Sequence, residues 1–197
     1  AAAPALDFET TSVYTLTVQA TDAAGVTGSA SAAVNVTNVD EAPTDIALSS
    51  SAVAENLPAD TTVGTFTATD PDSGDTCTYA LVSGTGSDDN PSFTIEGGAL
   101  KTATVFDFET KAVCSIRVRT TDSGGLTFET GFVIAVSNVN ETPGATDDEF
   151  TVPSGQVLTI AAPGLLGNDS DPETDPLTAR LVTDAAHGTV VLGTTGA

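Results

Sequence analysis

The residues in this chain best suited to chemistry are carboxylates, and they recur in sets rather than singly. Asp7 and Glu9 precede an alternating run; Asp40 and Glu41 sit before Pro43; Asp70, Asp72 and Asp75 crowd one short loop. Asp107 and Glu109 repeat Asp7 and Glu9 one hundred residues later, and Glu141 before Pro143 repeats Glu41 before Pro43. Asp-x-Asp and Asp-x-Glu spacings put alternate side chains on one side of an extended backbone. Two carboxylates about 4 Å apart repel by roughly 4 kcal/mol at an effective dielectric near 20, so such sets splay open unless cations join them. The donors on offer are all hard oxygens: carboxylates, Asn amides and main-chain carbonyls. Six to eight of them at irregular geometry suit Ca²⁺, whereas Mg²⁺ demands a stricter octahedron. Zinc is poorly served, because the clusters hold no Cys and the one histidine, His187, lies away from them.

Other chemistry fits less well. Asp107 and Glu109 have the residue types of a glycosidase acid and nucleophile, but that pair works inside a cleft. The same pair recurs at Asp7 and Glu9 beside a linker, so we expect no enzyme. His187 has no Ser or Cys nucleophile pattern around it and precedes Gly188, as a turn residue does. The plain alternative for the acids is a solvated acidic surface; it accounts for scattered carboxylates but not for a fixed offset.

The elements that must position these groups follow from the same repeat. Phe106 to Thr110 copies Leu6 to Thr10, Thr121-Asp122 with Gly125 copies Thr21-Asp22 with Gly25, and Asn138 to Pro143 copies Asn38 to Pro43. A fixed period near one hundred residues implies tandem domains rather than a solenoid of short units. The expected division is a partial unit over 1–43, a complete unit over 44–143 and a further partial unit over 144–197. The absence of Met at the start and the stop at Gly196-Ala197 suggest a piece of something longer. Residues 13–20 and 30–36 alternate apolar and polar and read as a hairpin. In the central unit, strands are expected at 46–48, 63–68, 77–82, 93–95, 99–102, 113–120 and 127–136. Seven short strands in one hundred residues predict an all-β, Greek-key, seven-stranded immunoglobulin-like sandwich, with acidic linkers between successive copies. In the last unit Gln156 to Ile160 reads as a strand, and Asn168 to Leu177 parallels the Asp70–Asp75 loop. If units stack end to end, the base of one faces the top loops of the next, and the acids converge there.

Twenty-seven acidic against five basic residues leave a net charge of −22. That charge disfavours nucleic acid and anionic lipid as partners and favours cations. No run of about eighteen apolar residues suggests membrane insertion. Cys77 and Cys114 fall on the expected third and sixth strands, neighbours in such a sandwich. A disulfide, as suits an oxidising compartment, and a free buried pair both fit. Tyr14 stands where Cys114 does in the repeat, so a disulfide would belong to this unit alone.

Leu-Asp-Phe-Glu, Ala-Thr-Asp, Asn-Val-Asn-Glu-x-Pro, Ala-Glu-Asn and Asp-Pro-Asp, in order, resemble a cadherin repeat of the kind found in bacterial surface proteins. The last segment, through Asn168 to Pro172 and Ala186 to Thr189, is similar to the tandem repeats of large bacterial adhesins. The resemblance implies tandem cadherin-like sandwiches with Ca²⁺ at each junction. At the first junction it assigns Asp7, Glu9, Asp40, Glu41, Asp70, Asp72 and Asp122 as side-chain ligands, with carbonyls from Val39 and Asp75. At the second it assigns Glu55, Asp107, Glu109, Asn140 and Glu141, meeting Asp169 and Asp171; Asp22 would serve a junction upstream. The linker is one residue shorter than the animal pattern and has Glu41 and Glu141 where Asp is usual. The implied function is a calcium-rigidified adhesive or stalk section of a secreted or surface-anchored bacterial protein. Its partners would be calcium, other copies of itself, or surface glycans and proteins. Two alternatives are a filament subunit assembled by strand complementation and a non-catalytic module of a secreted polysaccharide-active enzyme.

Overall fold

Strand-forming alternation decides most of the architecture. The computed structural model describes residues 5–196. β1 (Val13–Thr21) and β2 (Thr27–Asn35) form an antiparallel hairpin in continuous register from Val13↔Asn35 to Thr21↔Thr27. Its turn closes where Gly25 takes a φ of 86°, a left-handed conformation that glycine adopts without steric cost. Among the described residues no second sheet covers the hairpin, so Leu16 and Val18 stand exposed.

Eight strands follow in the central unit: β3 (Asp45–Leu48), β4 (Ala52–Ala54), β5 (Thr62–Thr69), β6 (Thr78–Leu81), β7 (Phe93–Glu96), β8 (Ala99–Thr102), β9 (Val113–Thr121) and β10 (Thr127–Ser137). They make two four-stranded sheets, ordered β4-β10-β9-β6 and β3-β5-β8-β7. The strand expected at 46–48 appears as β3, and a short strand that was not expected, β4, follows it in the other sheet. β3 pairs antiparallel with β5, then the chain crosses at Ser49–Ser51 and β4 runs parallel to β10 in the other sheet. The crossing is tight: a Cβ on Gly64 would lie 2.6 Å from the Ser50 carbonyl oxygen, beside the register shift between Thr62 and Gly64.

Period-two alternation places Cys114, Ile116, Val118 and Thr120 of β9 inward, each almost wholly buried. They meet Ile46, Val63, Phe66, Phe93 and Leu100 from the facing sheet and Ile134 and Val136 from β10. Phe66 stacks on Tyr79 with ring centroids 5.4 Å apart, and Phe93 packs on Phe106 at 5.3 Å.

Two expectations fail here. Thr78 pairs with Thr121 at one end of β9, while Cys114 lies near the other end, seven residues away. At 3.3 Å per residue the cysteines are roughly 23 Å apart, far beyond the reach of a disulfide, and both are free thiols. The strands occupy neighbouring positions, but the two side chains sit at opposite ends. Beyond residue 144 the described residues form no regular strand, Gln156 to Ile160 included; an isolated Gly144↔Ser170 bridge and a 3-10 turn at Gly164–Leu166 lie among turns and irregular chain. Val157, Leu158, Ile160, Val190, Val191 and Leu192 instead line an open cavity of about 540 Å³. A strand needs a paired neighbour to satisfy its ladder, and among the described residues none pairs with this run. Among the described residues no helix is long and apolar enough to cross a membrane.

Candidate metal centres

At the first linker, Asp122 is fixed by the turn that follows β9. Its Oδ1 accepts hydrogen bonds from the Gly125 and Leu126 amides, both at 2.7 Å, and its own amide donates to the Leu126 carbonyl. The side chain is 6% exposed, and its Oδ2 is buried without a donor. The loop after β5 supplies the facing acids. Asp70 Oδ1 accepts the Asp72 amide at 2.9 Å, an Asx turn around Pro71, while Asp70 Oδ2 is buried and likewise without a donor. Asp75, farther along that loop, accepts the Ser123 amide. Asp40 arrives from the linker, and one oxygen from each of Asp40, Asp75 and Asp122 lies within 4.8 Å of the others. A second group at the same linker, Glu9, Glu41 and Asp72, meets the same limit. Asp72 fixes it, accepting the Asn38 side-chain amide and the Glu41 main-chain amide, each at 2.8 Å.

The second linker gathers Glu55, Glu109, Glu141 and Glu173 within the same 4.8 Å. Glu55 follows β4 directly and is 1% exposed. It ties two segments together by accepting the Phe108 amide at 2.6 Å and the Val139 amide at 2.7 Å. Asn138 donates to Glu109, Asn56 donates to Glu141, and the Glu141 amide donates to Glu173 Oε1 at 3.1 Å. Glu173 Oε2 is buried without a donor.

The electrostatics agree with this crowding. Desolvation, followed by the charges of Asp122, Asp72, Asp75 and Asp70, raises the Asp40 carboxyl above its ordinary value. Desolvation, then Glu9 and Asp72, raises Glu41; desolvation, with Glu55, Glu141 and Glu173 adding to it, raises Glu109. The ion pairs of the described residues, Lys101–Glu96, Lys111–Asp89 and Arg117 and Arg119 with Glu129, leave every one of these acids without a cationic partner. A buried carboxylate oxygen with no donor costs several kcal/mol unless a cation meets it. The donor set is all oxygen, so the residues fit a hard divalent cation and offer nothing to a thiophilic one.

Not every residue expected at the sites is brought to them. Asp7 and Asp107 spend both oxygens inside their own turns, on the amide and hydroxyl of Thr10 and Thr110. Those bonds hold the Asp7 carboxyl below its ordinary value. Asn140 turns its amide onto the Glu141 carbonyl, and Val39 stands exposed in the linker. Asp22 holds the β1–β2 turn through the Ala24 and Val26 amides. Asp75 contributes its carboxylate to a cluster, where a carbonyl was expected. At the second linker Asp169 accepts the Thr146 amide and Asp171 the Asp175 amide, and Glu173 takes the place foreseen for them. The signal for Glu173 was present: Asp171-Pro172-Glu173 aligns with Asp70-Pro71-Asp72 through its proline. Consistently, Gly144 bonds Ser170 where Thr44 bonds Thr69, and the Glu141 amide finds Glu173 as the Glu41 amide finds Asp72.

Comparison with known proteins agrees with this architecture. Residues 49–137 match the family model of the cadherin domain, and residues 140–197 match that of a bacterial Ig domain. The chain is 35% identical over 147 residues to Protocadherin Fat 2 of Mus musculus, covering 70% of this chain and 3% of that protein. It is 34% identical over 149 residues to the Protocadherin-like wing polarity protein stan of Drosophila melanogaster, covering 71% of this chain and 4% of the relative. The chain thus spans only a few per cent of the length of these relatives. Among solved structures, the extracellular cadherin domains 3-6 of Protocadherin Gamma B2 superpose with a TM-score of 0.60 at 21% identity, over 75% of this chain and 39% of that one. Human Protocadherin-24 EC1-2 gives a TM-score of 0.52 at 21% identity, over 68% and 70%. At such identities these likenesses show the fold. The sandwich of β3 to β10 is thus a cadherin domain, homologous to the cadherin repeats of protocadherins, and it leads into a segment that matches a bacterial Ig domain.

Proposed function

We propose that this chain is a calcium-stiffened section of an extracellular, adhesion-type protein, with units over 1–43, 44–143 and 144–197 joined by cation-binding linkers. Cadherin domains are adhesion modules. The observation that carries the reading is the gathering of carboxylates from separate stretches at both linkers, with the Asp70, Asp122 and Glu173 oxygens buried and lacking donors. Glu9, Glu41 and Asp72, then Asp40, Asp75 and Asp122 beside Asp70, hold calcium at the first linker; Glu55, Glu109, Glu141 and Glu173 hold it at the second. The bound ion supplies positive charge that offsets carboxylate repulsion. The chain's own part is to keep the acids in place through backbone amides and Asn side chains.

Because the Glu9–Glu41–Asp72 group and the Glu55–Glu109–Glu141–Glu173 group each join a linker to loops on either side, occupancy couples neighbouring units, and its loss turns the linkers into hinges. Extracellular sites have dissociation constants of about 0.1–1 mM, and a tenfold to hundredfold excess of calcium then adds roughly 1.4–2.7 kcal/mol per site. The test is thermal unfolding of the 197-residue chain in millimolar calcium, after chelation, and in magnesium. A rise in Tm with calcium that magnesium does not reproduce is the expected result. Equal Tm values in all three conditions would leave the acids as surface charge and remove the mechanism.

A further inference from the structure

The turns after β1 and β9 share one hydrogen-bond scheme. Asp22 and Asp122 each donate their amide to the carbonyl four residues on and accept amides from the same turn. Gly25 and Gly125 are both required by the backbone, with φ of 86° and 95°. Position 24/124 is different: its φ is not left-handed, and Ala24 occupies it in the first turn without disturbing those bonds. Gly124 therefore is not there for the backbone. A Cβ at Gly124 would fall 1.8 Å from Asp40 Oδ2, 2.5 Å from its Cγ and 2.8 Å from its Oδ1. The whole Asp40 carboxylate rests in the space a methyl group would fill, and that seat brings it beside Asp75 and Asp122, whose Oδ2 is buried without a donor.

We infer that Gly124 is a positioning residue for the first linker's cation site: its missing side chain admits Asp40 to Asp75 and Asp122. This rests on the calcium reading above. The obstruction meets only the end of a flexible side chain, so Gly124→Ala leaves the sandwich intact and swings the Asp40 carboxylate away. Displacing a group that orients a metal ligand typically lowers affinity about tenfold to a hundredfold.

The experiment is calcium titration by calorimetry on four forms of the full chain: unsubstituted, Gly124→Ala, Asp40→Asn and the double variant. Far-UV circular dichroism and the Tm in chelator serve as folding controls. The expected result is that Gly124→Ala weakens one class of site by about tenfold or more and leaves the others unchanged. Asp40→Asn does the same, and adding Gly124→Ala to it has no further effect. A merely structural role would make the two losses additive. Additive losses, or a Gly124→Ala titration matching the unsubstituted chain, overturn the inference. No calcium uptake by the unsubstituted chain overturns instead the reading on which it rests.

Discussion

Replacing Glu55 by Gln isolates what the second linker does with a buried charge. The carboxylate is 1% exposed and accepts two amides, from Phe108 at 2.6 Å and Val139 at 2.7 Å. A carboxamide has one acceptor oxygen and one NH₂, so one of the two amides is left facing a donor, at a cost of about 1–3 kcal/mol. In the absence of cation another effect opposes this. Glu55 and Glu173 present oxygens within 4.8 Å of each other, where unit charges repel by about 3.5 kcal/mol at an effective dielectric of 20; the neutral side chain removes that repulsion. After chelation the relieved repulsion outweighs the lost bond by about 0.5–2.5 kcal/mol, so Glu55→Gln should be at least as stable as the unsubstituted chain. In saturating calcium there is no repulsion left to relieve. The variant loses the amide bond, about 1–3 kcal/mol, and the cation's contribution of roughly 1.4–2.7 kcal/mol, for a total of about 2.4–5.7 kcal/mol. The assay is urea unfolding followed by circular dichroism in calcium and in chelator, on both proteins, compared as a double difference. A Glu55→Gln penalty of the same size in the two conditions would refute the reasoning, because it would make Glu55 a structural hydrogen-bond acceptor alone.

Three further outcomes follow from features outside that site. Gly64→Ala puts a methyl group 2.6 Å from the Ser50 carbonyl and should destabilise by roughly 1–3 kcal/mol, equally with and without calcium; a denaturation midpoint within error of the unsubstituted chain would contradict it. Asp40, Glu41 and Glu109 titrate above their ordinary values, so the stability tied to them is present below the unfolded value near 4 and lost as pH rises through the folded value. In chelator the Tm should therefore climb as pH falls from neutrality toward that unfolded value, and in calcium it should drop as protons displace the ion; a scan in which both curves move together would exclude this. Groups held low, such as Asp7 and Asp75, work the other way but only as pH falls through their lowered values. Thiol titration should count two free cysteines in air-oxidised protein, with half-buried Cys77 reacting in the native state and buried Cys114 only on unfolding. Burial also pushes the Cys114 thiol's pKa up, which slows it further. A two-dalton mass deficit after denaturation without reductant would show a disulfide and contradict the strand register.

The strands were legible wherever the alternation ran over several residues, the uncovered β1–β2 hairpin included. The 93–95 and 99–102 hairpin over Gly97-Gly98 and the long pair β9–β10 appear within a residue or two of their expected bounds. β4 was not visible, because three residues carry too little alternation, and its pairing with β10 depends on a crossing at Ser49–Ser51 that only tertiary packing fixes. Of the two cysteine readings left open, the free thiols hold and the disulfide does not, for a related reason: strand adjacency can be inferred from topology, but position along the strand depends on register. Acid types and linkers could be read, yet hydrogen-bond competition could not. Asp7 and Glu9 look alike as ligands, but the hydroxyl and amide of Thr10 claim the first and leave the second free. At the last segment the choice between Asp171 and Glu173 turned on a two-residue alignment shift that Pro172 could have settled.

The crossing from β3 to β4 has a consequence for load. Tension on the chain enters the domain ahead of β3 and leaves after Ser137, so β4 and the parallel β10 are drawn in opposite directions along their shared axis. Their bonds, including Ala135 to Ser51 and Glu55 to Ser137, are strained together in shear and not opened one by one like a zip. Glu55 stands at the end of that seam: its amide holds Ser137, and its carboxylate holds Val139 as the chain departs. The residue that anchors the second cluster is thus also the last fastener on the path of force, and pulling single molecules with and without calcium would register its grip as a difference in rupture force.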